Sequence, residues 1–239
     1  MKIIHSNIPD GNMSFLWGET DEVLENRTKL LEKNNLDINN CVNLSTQRGS
    51  NILKVTINDA GKGMKDTDSA IKGDGLITNE DLALCLLTAD CLPISFFDPK
   101  KGVIGLAHAG WRGTDEKITS KMAEKFINEF GSDPKDIEVE IGPGVRKESF
   151  IFENPVQKEM PEWQPYLKYL PDGQTSIDLF AYNKQQLIDV GILEENIKVS
   201  NINTGTDENY FSHYRSVRTG EKEGRFFTIV TKEQSGQGH

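Results

Sequence analysis

The 239 residues carry 27 Lys and Arg against 37 Asp and Glu, a net charge of −10 with a pI of about 5.0. That balance excludes the basic face that non-specific binding to nucleic acid or anionic membrane needs, while leaving room for a local basic pocket around one phosphate. A composition 36% hydrophobic and 27% charged suits a globular chain with an ample core, and no run approaches the roughly 18 apolar residues of a spanning helix.

In chain order, "MKIIHSNIPDGNMSF" reads as a short strand or turn region without the apolar run of a signal peptide. "DEVLENRTKLLEKNNLD" predicts a helix, with Val23, Leu24, Leu30 and Leu31 near helical spacing among charges. "VNLSTQRGSNILKVTI" predicts strands at residues 42–44 and 52–57 around a polar turn, and the glycine-rich "NDAGKGMKDTDSAIKGDG" reads as a mobile surface loop. Residues 82–87 fit a fully buried strand. "TADCLPISFFD" is a strand-like segment interrupted at a Cys-Leu-Pro step, and "GVIGLAHAG" is the next strand. "TDEKITSKMAEKFINEFG" predicts the clearest helix: Ile118, Met122, Phe126 and Phe130 fall four apart, Thr114 or Asp115 caps it and Gly131 ends it. "DIEVEIGPGV" predicts a strand, "IDLFAYNKQQLIDVGI" a second long helix, "NIKVSNI" and "GRFFTIVT" the last strands, and "EQSGQGH" a frayed end. No repeat, linker, GxGxxG or GxxxxGK[ST] motif is present. The reading is one α+β domain, residues 1–239, with a mixed β-sheet and flanking helices.

Three cysteines, Cys41, Cys85 and Cys91, with no export signal imply reduced thiols and a cytoplasmic location, with no structural disulfide. Cys85 sits inside an apolar run and reads as an inert buried thiol. Cys91 ends a strand between Asp90 and Pro93, where a functional thiol is as natural as a packed one. His108 leads into Ala109, Gly110, Trp111, Arg112 and Gly113: small residues admit close approach, Trp offers a stacking face and Arg can grip an anion. A thiol and an imidazole surfacing at strand ends are either metal ligands or a nucleophile and its base. His213, in "YFSHYRS" near Arg215 and Arg218, reads as pocket wall or surface.

"GDGLIT", "TADCLP", "AHAGWRGT", "IGPGV" and "YFSHYRSVRTGEKEGRFFTIV" stand in this order from Gly73 onward. They resemble the laccase-domain family, first named for multicopper polyphenol oxidation and better described as zinc-dependent purine nucleoside enzymes. "ADC" with "HAGWRG" at this separation is the specific part; "IGPG" alone would be weak. The resemblance implies a single α+β domain that phosphorolyses adenosine, inosine, guanosine and methylthioadenosine and deaminates adenosine. It implies zinc held by Cys91, His108 and an earlier His, with Cys91 and His108 catalytic. That earlier turn aligns with "TQRGSN", which puts Arg48 where the family has His. A guanidinium has no lone pair to give and stays charged, so low zinc occupancy is expected unless Asp90, His213 or another carboxylate substitutes. Arg48, Arg112 and Arg215 are the candidates for phosphate or another anion, Gln47 and Asp90 for hydrogen bonds near substrate. Asp90 equally suits orienting His108 or capping the following turn.

Partners implied are purine nucleosides and phosphate, with no nucleic acid or membrane, on a monomer or homodimer. Two alternatives stay open: a metal-poor, catalytically weak relative with a binding or regulatory role, and a Cys–His hydrolase with Cys91 as nucleophile. Copper oxidase chemistry is disfavoured, because blue and trinuclear copper sites need more imidazoles than four histidines provide.

Overall fold

Side chains alternate across a strand, so each strand here faces two different layers. The computed structural model describes residues 1–232; the predicted frayed end, 233–239, lies outside them. In chain order the first strands are β1 (Lys2–His5), β2 (Cys41–Thr46), β3 (Ile52–Lys54), β4 (Ile71–Gly73) and β5 (Gly75–Thr78). Then come β6 (Ala83–Thr88), β7 (Leu92–Asp98), β8 (Val103–Ala109), β9 (Glu138–Ile141) and β10 (Ile151–Phe152). The last are β11 (Leu167–Tyr169), β12 (Thr175–Ile177), β13 (Ile197–Val199) and β14 (Phe226–Thr231). The helices are α1 (Thr20–Lys33), α2 (Trp111–Asp115), α3 (Ile118–Phe130), α4 (Leu179–Asp189) and α5 (His213–Thr219).

The α+β class holds, but the strands divide among three sheets. One has the order β1-β14-β6-β2-β4, one the order β13-β9-β7-β8-β5-β3, and a small one the order β10-β12-β11. The two large sheets are mixed, with parallel pairs β2–β4, β2–β6, β3–β5 and β9–β13 beside antiparallel ones. On β6, Leu84 and Leu86 turn towards the second sheet and pack with Leu76, Ile104 and Leu106. Ala83 and Cys85 turn the other way and pack with Leu30 and Leu31 of α1. On the far side of the second sheet, Met122 and Phe126 of α3 join Phe96 and Ala107. Each buried Leu, Ile, Met or Phe side chain among these contributes about 1.5–3 kcal/mol. The layers therefore run α1, first sheet, second sheet, then α3 with α4.

Two predicted elements change. The expected mobile loop contains β4, which pairs with β2, and Met64, which is fully buried. Its tether comes from elsewhere: buried Arg27 of α1 donates to the carbonyls of Met13, Gly63 and Met64 at 2.6–2.9 Å, with its guanidinium over the rings of Phe15 and Phe227. The long predicted helix is two, α2 and α3, broken at Lys117 in the left-handed conformation (φ 64°). Thr114 is not its cap. It lies buried inside α2, where its hydroxyl accepts from Asn183 Nδ2 of α4. The predicted Gly131 terminus holds, at φ 66°. The 52–57 strand is shorter than predicted, ending at Lys54.

Candidate active site

Strand register brings the thiol and the imidazole together. In the β7–β8 hairpin Leu92 pairs with Ala109 and Pro93 with His108, so Cys91, one residue before β7, falls opposite Gly110. A Cβ built on Gly110 would lie 3.0 Å from Cys91 Sγ and 3.4 Å from His108 Cε1. The two side chains thus border one small space that a methyl group would fill. Gly113 is needed for a different approach: a Cβ there would lie 2.9 Å from the Gly49 carbonyl, where α2 packs on the 46–51 turn.

Asp74, buried between β4 and β5, holds both halves of that arrangement. Its carbonyl accepts from His108 N at 2.8 Å, while Oδ1 accepts from Gln47 N at 2.9 Å and Oδ2 from Asn51 N at 3.2 Å. The clamped turn carries Arg48 at φ 62°, a left-handed conformation uncommon for a non-glycine residue. Arg48, His108 and Cys91 line one cavity of about 510 Å³ with Arg112, Arg225, His213, Trp17 and Trp111. Among the described residues no carboxylate lines it. Three guanidinium groups without a lining acid, in a chain of net charge −10, make this cavity complementary to an anion.

A second cavity of about 270 Å³ adjoins the first at Ala89, Cys91, Trp111 and His213. Its remaining wall is mostly apolar and aromatic: Val145, Phe150, Phe152, Leu179, Tyr214 and Val217, with Asp90 and Arg218. Phe152 and Val217 are exposed, so apolar surface stands open to a ligand. The junction of a cationic and an apolar chamber falls at Cys91.

The other predicted site residues divide. Arg112 lines the cationic chamber with its guanidinium over the Trp111 ring, 4.3 Å from the centroid. Gln47 is exposed, outside both chambers, and its Nε2 donates to the Ser45 carbonyl. Arg215 is structural: it pairs with Glu221 and donates to the carbonyls of Thr204, Asp207 and Tyr210. Asp90 does not orient His108. Its Oδ1 accepts from Thr204 Oγ1 and Oδ2 from Tyr214 N, both at 2.7 Å, so it ties the strand end to the start of α5. Sequence reasoning missed Asp74, Trp17 and Arg225. Only the Asp between two glycines in "GDG" and the Arg opening "RFFTIV" signalled them.

Burial pushes the Cys91 thiol up to about 11, with nearby Asp90 adding to the rise and Arg225 and Arg48 opposing it. Burial drives the His108 imidazole down to about 4, against Asp74 and with Arg48. Both groups are therefore neutral near pH 7, and no hydrogen bond joins them. That is the reverse of the thiolate–imidazolium pair of a cysteine hydrolase.

The implied zinc fails on the chemistry of the donors. A three-ligand site needs one more donor beside Cys91 and His108, yet the carboxylate of Asp90 is committed to Thr204 and Tyr214 N. His213 lines the same cavity with Nδ1 on Glu223 at 3.1 Å, but its ring is not grouped with Cys91 and His108 as a ligand set. Among the described residues no three His, Cys, Asp or Glu side chains are grouped to hold a metal, and Arg48 adds a positive charge instead.

The family model described as multi-copper polyphenol oxidoreductase laccase matches residues 6–233. The purine nucleoside phosphorylase YlmD of Bacillus subtilis is 32% identical over 223 residues, covering 90% of this chain and 78% of that protein. The crystal structure of YlmD from Geobacillus stearothermophilus superposes with a TM-score of 0.87 at 33% identity, covering 93% of this chain and 85% of that one. The Bacillus licheniformis hypothetical protein YfiH superposes with a TM-score of 0.85 at 30% identity, with the same coverage. No helix among the described residues is long and apolar enough to cross a membrane.

Proposed function

This chain belongs to the multi-copper polyphenol oxidoreductase laccase family, and from that premise we propose that it works as a purine nucleoside phosphorylase. The observation that carries the reading is the pair of chambers meeting at Cys91, one cationic and one apolar. A nucleoside and phosphate divide in the same way: an anion, a sugar between, and a flat aromatic base that stacks on aromatic side chains. On this reading phosphate lies among Arg48, Arg112 and Arg225, and the base among Trp111, Phe150 and Tyr214, which line the two chambers. The ribose spans the junction. There the protonated Cys91 thiol and the neutral His108 imidazole are hydrogen-bonding groups for its hydroxyls.

In the reaction a phosphate oxygen attacks C1′ of the ribose and the C1′–N9 bond breaks with its electron pair on the purine. The proton carried by dihydrogen phosphate ends on the base, giving ribose 1-phosphate and free purine. The guanidinium groups hold the nucleophile in line, and binding two reactants in register is itself a large part of such a rate enhancement. The apolar chamber offers few polar groups to discriminate at purine position 6, so adenosine, inosine and guanosine all fit. An apolar 5′ substituent, as in methylthioadenosine, also suits it. Adenosine deamination has weaker support, because it needs an activated water. The test is chromatography of purified protein incubated with inosine, with and without phosphate. Hypoxanthine and ribose 1-phosphate should form only with phosphate. Cys91→Ala or His108→Ala should remove that turnover without unfolding the chain, and wild-type rates in either variant would overturn the assignment.

A further inference from the structure

We infer that the cation of this site is the Arg48 side chain, which binds inorganic phosphate directly, so that the anion chamber works without a metal ion. The inference rests on the phosphorylase reading for what the phosphate is used for, but phosphate binding itself is a separate observable.

Three features of the molecule converge on Arg48. The first is construction: Asp74 pins both ends of the 46–51 turn, and Arg48 is held at φ 62° facing the cavity that Cys91 and His108 line. A left-handed backbone costs a non-glycine residue roughly 1–2 kcal/mol, and side chains kept in such positions cluster at ligand sites.

The second is donor inventory. Arg225 is engaged by Glu223 and the Gly224 carbonyl, while Arg112 stacks on the Trp111 ring, which orients its guanidinium and leaves its in-plane donors to support the same anion beside Arg48. Arg27 and Arg215 are saturated by carbonyl or carboxylate oxygens away from the chamber. Among the described residues no hydrogen bond or ion pair engages the Arg48 guanidinium. It offers a planar fork of donors that matches two oxygens of one phosphate.

The third is exclusion. Two donors beside a fixed positive charge make a poor divalent-cation site, whereas the same charge favours an anion. Phosphorolysis does not require a metal, since phosphate brings its own nucleophilic oxygen. The attacking oxygen bonds to C1′, the departing purine takes the C1′–N9 electron pair, and the phosphate proton ends on the base. Arg48 neutralises the anion's other oxygens throughout that transfer.

The test uses the untagged full chain. Zinc is measured by mass spectrometry, and inorganic phosphate binding by titration calorimetry before and after chelator treatment. Arg48→Ala and Arg48→Gly are titrated alongside, the glycine relieving the left-handed backbone in case the alanine variant folds poorly. Zinc should be well below one per chain, with phosphate binding unchanged by chelator. Both variants should bind phosphate about 10-fold more weakly or worse, the value of one lost hydrogen bond to a charged group, and Arg48→Lys should restore part of it. In the inosine assay the KM for phosphate should rise in step while that for inosine holds. Stoichiometric zinc whose removal abolishes phosphate binding would overturn the inference, as would wild-type phosphate affinity in both variants. If calorimetry gives the expected loss but no purine nucleoside turns over with or without added zinc, the inference stands and the phosphorylase reading falls.

Discussion

Replacing Asp90 with alanine should unfasten the active site from the sheet that carries it. Asp90 is 7% exposed, and its carboxylate accepts two hydrogen bonds of 2.7 Å, from Thr204 Oγ1 and from the backbone of Tyr214. Hydrogen bonds to a charged group contribute about 1.5–3 kcal/mol each, so losing both removes roughly 3–6 kcal/mol. The variant escapes the desolvation of a buried carboxylate, which offsets part of that loss. It also keeps a side chain at φ 87°, where a left-handed alanine costs about 1–2 kcal/mol. The net expectation is a loss of about 3–5 kcal/mol in urea unfolding followed by tryptophan fluorescence. Asp90→Gly, free of the backbone penalty, should recover about 1–2 kcal/mol of it. Asp90→Asn keeps one good acceptor and should fall between wild type and alanine. Because Asp90 precedes Cys91, the alanine variant should also lose phosphorolysis at denaturant concentrations where it is still folded. An alanine variant within 1 kcal/mol of wild type, or a glycine variant no more stable than alanine, would refute this account of the tie.

Gly110→Ala places a methyl 3.0 Å from Cys91 Sγ and 3.4 Å from His108 Cε1; turnover of inosine should fall at least ~10-fold while the melting temperature moves little, and unchanged kinetics would show that the shared space is unused. Arg48→His replaces the charge with a neutral imidazole and supplies a third donor, so zinc content should rise towards one per chain. Adenosine deamination should rise relative to phosphorolysis in the same variant, and a zinc content equal to wild type would refute the donor argument. Burial alone would raise the Glu223 carboxyl, but hydrogen bonds from Ser216, Arg225 and His213 hold it below its ordinary 4.5. A depressed carboxyl stabilises the fold above pH 4.5 and loses that contribution as pH falls through the folded value. Melting temperature measured from pH 6 to 3 should therefore fall less steeply in Glu223→Gln than in wild type, and parallel curves would refute the linkage.

The fold was legible wherever periodicity was local. Residues 82–87, "GVIGLAHAG" and the Ile118–Met122–Phe126 stripe declare their burial through spacing alone. The 58–75 segment hid its order because its anchors are remote: a strand partner in β2 and the guanidinium of Arg27. The β10–β12 sheet and α5 are too short for a periodic signal, with strands of two or three residues and a helix of seven. In the site, Cys91 and His108 stood out as a thiol and an imidazole beside strand boundaries in "TADCLP" and "AHAGWRG", whereas the β7–β8 pairing that brings them together is visible only in the structure. Arg215 looked the same as Arg225 in sequence, both being arginines near the last strand. Only the positions of Glu221 and three carbonyl oxygens decide that the first is structural and leave the second in the cavity wall.

The two reactions implied for this family ask different things of one cavity, and Arg48 separates them. Deamination must make water nucleophilic, which takes a Lewis acid or a base beside the purine ring. Among the described residues the cationic chamber has no lining carboxylate and no three donors grouped to hold a metal. Phosphorolysis imports its nucleophile already charged, so the protein's task is to hold an anion, exclude disorder and receive a leaving base. A guanidinium performs the first of these tasks and a metal-bound water none of them. Asp74 clamps the turn that carries Arg48, Gly113 lets α2 pack on that turn, and Gly110 keeps the space beside Cys91 and His108 open. On that frame a guanidinium at position 48 gives this cavity a charge that suits holding an anion better than holding a metal.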